Sequence, residues 1–223
     1  MTEKAMDAAV DSAWEKRGFL AGVIFVALNV VGLVISGTPP ALDASGEKIQ
    51  EYFVDNDSGI KLAAILFAIS LIFAVAWLGS LWRAISRLEP RGPRLALMAV
   101  VGFVISGAAA GVAQAMFGAL TTRIDTLGGG SEFVFAVANA LFGISLAGIA
   151  VHILALAALT MRSGFLPAWT GWLALLSAVA CAIATGTAGS NAGWLLAINF
   201  VGFLSWMLWV LIASCLLYSR KAA

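Results

Sequence analysis

Six long apolar runs alternate with short polar segments along the chain. Each run is long enough to cross a hydrocarbon layer of roughly 30 Å, which takes about 20 helical residues. Lipid offers no partner for an open backbone, so we expect each run to be a helix. The pattern predicts an all-α, polytopic transmembrane bundle of six helices over residues 18–218, with spans near 18–36, 60–82, 94–118, 133–160, 167–186 and 194–218.

One connecting segment, residues 37–59, is much longer than the others. Within it Ile49, Tyr52 and Phe53 recur at helical spacing, with acidic residues on the other side of the same helix. This pattern predicts a short amphipathic helix between helices one and two, lying on the outer membrane surface or capping the bundle.

The distribution of Lys and Arg predicts the orientation. With both termini in the cytoplasm, ten basic residues lie inside and three lie outside, which agrees with the positive-inside rule. The inner ten are Lys4, Lys16, Arg17, Arg83, Arg87, Arg91, Arg94, Arg162, Arg220 and Lys221, and the outer three are Lys48, Lys61 and Arg123.

Both chain ends are expected to be cytoplasmic. Residues 1–17 form an N-terminal segment in which Met6, Val10 and Trp14 recur every four residues. This spacing indicates a short interfacial helix, with a frayed tail as the alternative. Residues 219–223 form a short C-terminal tail.

Composition narrows the classes of function. Hydrophobic residues make up 61% of the chain and charged residues 11%, and the net charge of +1 gives no reason to expect nucleic acid as a partner. Two cysteines and one histidine leave little for metal or redox chemistry, so we expect no metal and no cofactor. No Asp, Glu, Lys or Arg lies deep in a predicted span. The residues therefore favour a protein that is not an enzyme, without deciding the question.

Four amides lie in the predicted spans, on helices one, three, four and six. Two hypotheses fit them: they hydrogen-bond to one another and hold the helices together, or they line a polar cavity that binds a small neutral solute or a lipid headgroup. These four candidate ligand-binding residues are Asn29, Gln114, Asn139 and Asn199.

His152 is the one ionisable group well within a span. Ser145, Gly148, His152 and Ala155 share a helix face that would let another helix approach closely. His152 is either a neutral histidine hydrogen-bonded inside the bundle or a fifth ligand-binding residue.

Four arginines crowd one short predicted inner loop. The positive-inside rule alone explains them, and they are also candidates for contact with anionic lipid headgroups or an acidic partner. They are Arg83, Arg87, Arg91 and Arg94. On helix three, the run Gly107–Gly111 together with Gly118 forms a small-residue face typical of close helix packing.

The segment Met161–Trp172, with the pattern R-S-G-x-L-P-x-W-x-G-W, resembles an inner turn of small bacterial, largely actinobacterial, membrane proteins of unknown function. Physically, Gly164 would end one helix, Pro167 would start the next, and Trp169 would anchor the interface. The resemblance implies a six-helix fold in the bacterial inner membrane and no known activity.

Two hypotheses for function follow. The first is a non-enzymatic accessory subunit of a larger membrane complex, or a self-associating bundle, whose partners are lipids and either another membrane protein or a second copy. The second is a binder or transporter of a small neutral or lipid-like molecule, acting through an outward-facing polar cavity lined by the amides.

Overall fold

The apolar runs fold into helices. The structure is a computed structural model that describes residues 3–127, 130–190 and 192–220, with side chains from residue 13 onward except 125, 127 and 193. Residues 1–2 and 221–223, which belong to the predicted N-terminal segment and tail, lie outside that description. The described chain forms α1 (Glu3–Ile35), α2 (Gly46–Asp55), α3 (Asp57–Ser86), α4 (Arg94–Leu127), α5 (Gly130–Ser163), α6 (Ala168–Ala184), a 3-10 turn (Thr185–Ala188) and α7 (Gly193–Ser219).

Six of these helices contain segments long and apolar enough to cross a membrane, which confirms the predicted all-α bundle with six candidate spans. Helix α1 is continuous from Glu3 to Ile35, so residues 3–17 belong to the same helix as the first span. The six segments in the described chain are Ala13–Ile35, Asp57–Ser86, Arg94–Ile124, Gly130–Ser163, Ala168–Ala188 and Trp194–Ser219.

The bundle has two distinct ends. We call one end the α2 end; there α1, α4 and α6 finish and α3, α5 and α7 begin. We call the opposite end, which carries Arg83, Arg87, Arg91 and Arg94, the arginine end. Exposed aromatic side chains occur near both ends: Trp14, Trp169 and Trp172 near the arginine end, and Phe133 and Trp194 near the α2 end. Trp is enriched where a bilayer meets water, so this placement fits a membrane-spanning bundle.

Helix α5 packs against α4, α6 and α7. Its closest neighbour is α4, and two glycines make that approach possible. A Cβ atom on Gly148 would lie 2.6 Å from the carbonyl oxygen of Gly102, and one on Gly102 would lie 2.7 Å from the backbone nitrogen of His152. The two backbones are therefore in direct contact, as small residues allow between membrane helices.

The arginine half of the bundle is densely packed. Trp77, Leu81 and Trp209 have no exposed surface, and a Cβ atom on Gly22 would collide with the Trp77 ring. The Trp209 indole donates a hydrogen bond of 3.0 Å from Nε1 to the Thr170 carbonyl, which ties α7 to the start of α6. Large rings against glycine backbones thus fill this half.

The α5–α6 turn is built as its residues predict. Gly164 ends α5 with φ +64°, a conformation that favours glycine, and its N–H donates to the Thr160 carbonyl at 3.0 Å. Pro167 directly precedes α6. Phe165 is buried, and its carbonyl accepts a hydrogen bond from the Arg220 guanidinium at the end of α7.

Helix α2 covers the α2 end of the bundle. Ile49 and Phe53 are buried in a cluster that includes Leu120 of α4 and Phe135 of α5. At its first turn the backbone N–H of Gly46 donates to Oε1 of Glu132 at 2.6 Å. A carboxylate is favourable there because the first N–H groups of a helix lack partners within it. The amphipathic pattern of α2 therefore serves to dock it on the bundle.

Candidate functional site

A cavity of about 240 Å³ lies inside the half of the bundle nearer α2. Its walls come from the second half of α1, the middle of α4 and mainly the first halves of α3, α5 and α7. Tyr52 of α2 and Pro39 of the preceding segment line its upper part. Five spanning helices thus surround one hollow that the short helix covers.

The cavity brings together the four amides singled out from the sequence. Asn29 of α1, Gln114 of α4, Asn139 of α5 and Asn199 of α7 all line it. Their positions on four different helices mean that only the tertiary fold can place them around a common space. A ligand-binding role for them remains a prediction.

Two of the amides are partly held by hydrogen bonds. Nδ2 of Asn29 donates to the Phe25 carbonyl at 2.9 Å and to Oγ of Ser70 at 3.0 Å, which links α1 to α3. Nδ2 of Asn139 donates to the Phe135 carbonyl one turn earlier at 2.8 Å. No described residue donates to the carbonyl oxygen of either amide, so the structural and ligand-binding hypotheses are compatible for both.

Three other amide and hydroxyl side chains in the cavity wall have no hydrogen-bond partner in the part of the chain that the structure describes, and neither has the buried indole N–H of Trp206. The three are Gln114, Asn199 and Ser106. Ser106 is 6% exposed as a residue, whereas Gln114 and Asn199 are half-buried. A polar group removed from water and left without a partner is destabilising, commonly by about 1–3 kcal/mol. These groups can therefore hydrogen-bond to something that occupies the cavity.

The floor of the cavity is aromatic. Phe25, Phe103 and Trp206 form its base, with ring centroids 6.0–6.2 Å apart. They come from α1, α4 and α7 and lie one to two helical turns below Asn29, Ser106 and Asn199. No pattern in the sequence marks this floor, since aromatic residues in apolar helices look the same whether they line a cavity or face lipid.

His152 lies beneath that floor rather than in the cavity wall. The residue is fully buried, and Nδ1 lies 2.7 Å from the Ala99 carbonyl oxygen, so Nδ1 carries the proton. Its ring is 5.3 Å from Phe103 and 6.3 Å from Trp206, centroid to centroid. Nε2 has no partner among the described residues. The bond to Ala99 joins α5 to α4 and matches the structural hypothesis, while a ligand-binding role stays a prediction.

The upper part of the cavity is covered by α2. The Tyr52 hydroxyl donates to the Ser36 carbonyl at 2.8 Å, and the Phe53 ring stacks on Phe117 of α4 at 5.5 Å. Burial raises the pKa of Tyr52 to about 12, because the buried phenol is held in its neutral form. The cover is therefore joined to the bundle by one hydrogen bond and by apolar packing.

Comparisons with protein-family models, curated proteins and solved structures found no match to this chain. The likeness of the Met161–Trp172 turn to small bacterial membrane proteins therefore remains a prediction.

Among the described residues, no charged side chain lines the cavity, and aromatic and aliphatic groups make up most of its wall. Such a wall disfavours ions, since burying a charge without a partner of opposite sign is costly. The few amide and hydroxyl groups can orient a neutral molecule through hydrogen bonds, as in other largely apolar ligand pockets.

The four arginines lie far from this cavity, at the arginine end. Nε of Arg83 pairs with Oε1 of Glu15 at 2.6 Å and so ties α3 to α1. The other three, Arg87, Arg91 and Arg94, are exposed. Their contact with lipid headgroups or an acidic partner stays a prediction.

Proposed function

We propose that this protein binds a small, neutral, largely apolar molecule in the cavity beneath α2. One observation carries the proposal: amides from four helices line one cavity, and two of them, Gln114 and Asn199, lack partners in the described chain. Amides that serve only to join helices would be expected to bond to one another across the bundle.

The energetics support the same proposal. Half-buried amides without a partner in the described chain are free to hydrogen-bond to a ligand that supplies a complementary group. The aromatic floor of Phe25, Phe103 and Trp206 offers dispersion contacts to the apolar part of the same molecule. A ligand that has both a hydrogen-bonding group and an apolar part therefore gains binding free energy from both contacts.

Native mass spectrometry of the protein extracted in mild detergent or native nanodiscs tests the proposal. We expect the wild-type protein to carry a small molecule that extraction and chromatography can recover. The variants Asn199→Leu and Gln114→Leu remove unpaired polar groups from the cavity and are expected to lower its occupancy. Gln50→Leu is a matched control, because Gln50 is exposed on α2 and does not line the cavity.

Equal occupancy in the cavity variants and the control would contradict the proposal, as would wild-type protein without any retained molecule. Thermal unfolding of each variant separates loss of ligand from loss of folding.

The other hypothesis, an accessory subunit or a self-associating bundle, draws support from the glycines of α4. Added Cβ atoms at Gly111 and Gly118 would meet nothing within 4 Å, so this face has room for a further helix. The same mass spectra decide between the hypotheses. A stoichiometric protein companion or a stable homo-oligomer without retained ligand would favour association.

We further propose that both termini face the cytoplasm and that the protein resides in the bacterial inner membrane. The orientation rests on the ten-to-three distribution of Lys and Arg, and it places α2 and the cavity on the outer side. The choice of membrane rests on the likeness of the Met161–Trp172 turn to small bacterial membrane proteins. Reporter proteins fused after residue 223 and within residues 40–45 test it. Cytoplasmic activity only for the terminal fusion is expected, and the reverse pattern would refute the orientation.

A further inference from the structure

One face of α4 carries three glycines, of which Gly107 lines the cavity. Gly107, Gly111 and Gly118 lie on one face of α4, turned away from the Gly102 face that contacts α5. A Cβ atom on any of these three would meet nothing within 4 Å. This face of α4 therefore has open space beside it, and we call its boundary with α3 the α3–α4 seam.

The seam is continuous with the cavity. Gly107 and Ala110 of α4 line the cavity from one side, and Phe67 and Leu71 of α3 line it from the other. All of these groups are apolar. The cavity wall at the α3–α4 seam is therefore apolar on both sides, as a hydrocarbon chain would require.

Three other boundaries of the cavity are closed by direct contacts. The top is covered by the packed rings of Phe53 and Phe117, and the Gly102 and Gly148 backbones meet on the α4–α5 side. On the α1–α3 side a Cβ atom on Gly32 would lie 3.7 Å from Cα of Ala63, which is ordinary contact. The α3–α4 seam is thus a weak point in the wall.

A second, independent observation points to a ligand in this cavity. Ser106, next to Gly107 on α4, lines the cavity, is 6% exposed and has no hydrogen-bond partner for its hydroxyl in the described chain. Serine hydroxyls in membrane helices commonly bond to the carbonyl one turn earlier, as Ser145 does to Phe142 at 2.7 Å. Ser106 lies on the side of α4 that faces Gly148 of α5, across the cavity from the seam, and its hydroxyl has no such bond in the described chain.

We propose that the ligand is a membrane-dissolved amphiphile with one neutral ring headgroup and one hydrocarbon chain, and that its chain leaves the cavity between α3 and α4. This inference rests on the proposed function. A cavity of about 240 Å³ is below the usual range for drug-sized ligands, roughly 300–1,000 Å³, and holds a ring rather than a whole lipid. The aromatic floor receives the ring, Ser106 and Asn199 bond to its polar substituents, and the chain lies against Phe67 and Leu71.

Photolabelling of the full-length protein in phosphatidylcholine nanodiscs tests the path of the chain. The probe is a 4-alkylphenol with a diazirine halfway along its alkyl chain, which is neutral near pH 7 because phenols ionise at about pH 10. We expect saturable labelling, competed by unlabelled 4-alkylphenol, on α3 and α4 residues near Leu71 and Gly111.

The variant Gly107→Trp fills the seam and is expected to lower the apparent affinity for the probe by about tenfold or more. Gly79→Trp is the matched control, because Gly79 is an exposed glycine of α3 that also has nothing within 4 Å and does not line the cavity. It is expected to bind the probe as wild type does.

Saturable labels confined to α1 and α7 would overturn the path, and so would equal binding by Gly107→Trp and Gly79→Trp. Wild-type protein without any saturable labelling would overturn the ring-headed class of ligand. In each case the native mass spectra still test the proposed function separately, because they detect whatever molecule the protein retains.

Discussion

The two halves of the bundle are built from equally apolar helices, yet one half is filled and the other is hollow. In the arginine half, glycines face large side chains, as Gly22 faces Trp77, and Trp209 is fully buried. In the α2 half, Gly107 and Gly111 face open space, and Asn199 has no partner in the described chain.

The comparison shows that a glycine in a membrane helix does not by itself determine how closely a neighbouring helix packs. It gives close contact where a bulky or equally small partner is opposite, and it gives a gap where the neighbouring helix diverges. In lipid no hydrophobic force closes such a gap, so a hollow persists more easily than it would in a water-soluble core.

The largest expected effect comes from breaking the closest backbone contact in the bundle. Gly148→Leu would force α5 away from α4, because its Cβ atom alone would lie 2.6 Å from the Gly102 carbonyl oxygen. We expect a loss of about 4 kcal/mol or more in the free energy of unfolding, at the upper end for overpacking. Unfolding in mixed micelles with increasing SDS measures it. Gly111→Leu should change stability little, and equal losses in both variants would contradict the comparison.

A smaller effect is expected from truncating leucines in each half. Leu81 is fully buried in the filled half, whereas Leu28 already borders the cavity. Leu81→Ala should destabilise by about 2 kcal/mol because it creates a new void, and Leu28→Ala by less than about 1 kcal/mol because it only enlarges an existing one. The same SDS titration measures both. A cost for Leu28→Ala as large as that for Leu81→Ala would show that the cavity is filled in the protein as purified.

The amides should separate into a paired and an unpaired class. Asn29→Leu removes the 3.0 Å bond to Ser70 and is expected to cost about 1 kcal/mol, as interhelical hydrogen bonds do. Asn199→Leu removes an unpaired group and should leave stability within about 0.5 kcal/mol or raise it. Both variants are compared in protein freed of bound small molecules. A clear loss for Asn199→Leu would reveal a partner for that amide and weaken the binding hypothesis.

The smallest effect near neutral pH concerns the docking of α2. Because burial raises the pKa of Tyr52 from 10.0 to about 12, its contribution to docking is complete below pH 10 and is lost as the pH rises towards 12. A Tyr218→Phe variant leaves Tyr52 as the single tyrosine of the two in the chain, so ultraviolet difference spectra report it alone. Titration near the ordinary value of 10 would mean that α2 is undocked in solution.

The sequence alone was sufficient to predict the helices and some local features. Runs of about 20 apolar residues have no other stable form in lipid, so the six spans follow from hydropathy. Gly164 and Pro167 mark the α5–α6 turn because the backbone there needs a positive φ and then a helix start. The unusual cost of an amide in lipid likewise makes Asn29 and Asn199 stand out among their apolar neighbours.

The candidate site was only partly predictable. The amides carry a signal in the sequence, but the floor residues Phe25, Phe103 and Trp206 do not, since lipid-facing and cavity-facing aromatics have the same composition. Serines are common in membrane helices, so Ser106 carried little signal either, and only the lack of a partner in the described chain distinguishes it. His152 stood out in the sequence yet lies below the cavity, because helical depth alone does not say which way a side chain points.

By itself the sequence determined that this chain forms helices of membrane-spanning length, with amides in four of the spans and a short amphipathic helix after the first. Those properties depend on each segment's own hydropathy and hydrogen bonding, which act locally. The tertiary structure alone decided that Gly102 meets Gly148 while Gly107 meets nothing, and that the four amides surround one cavity. The physical reason is that such outcomes depend on the relative rotation and separation of helices, which short-range packing sets and which no single segment encodes.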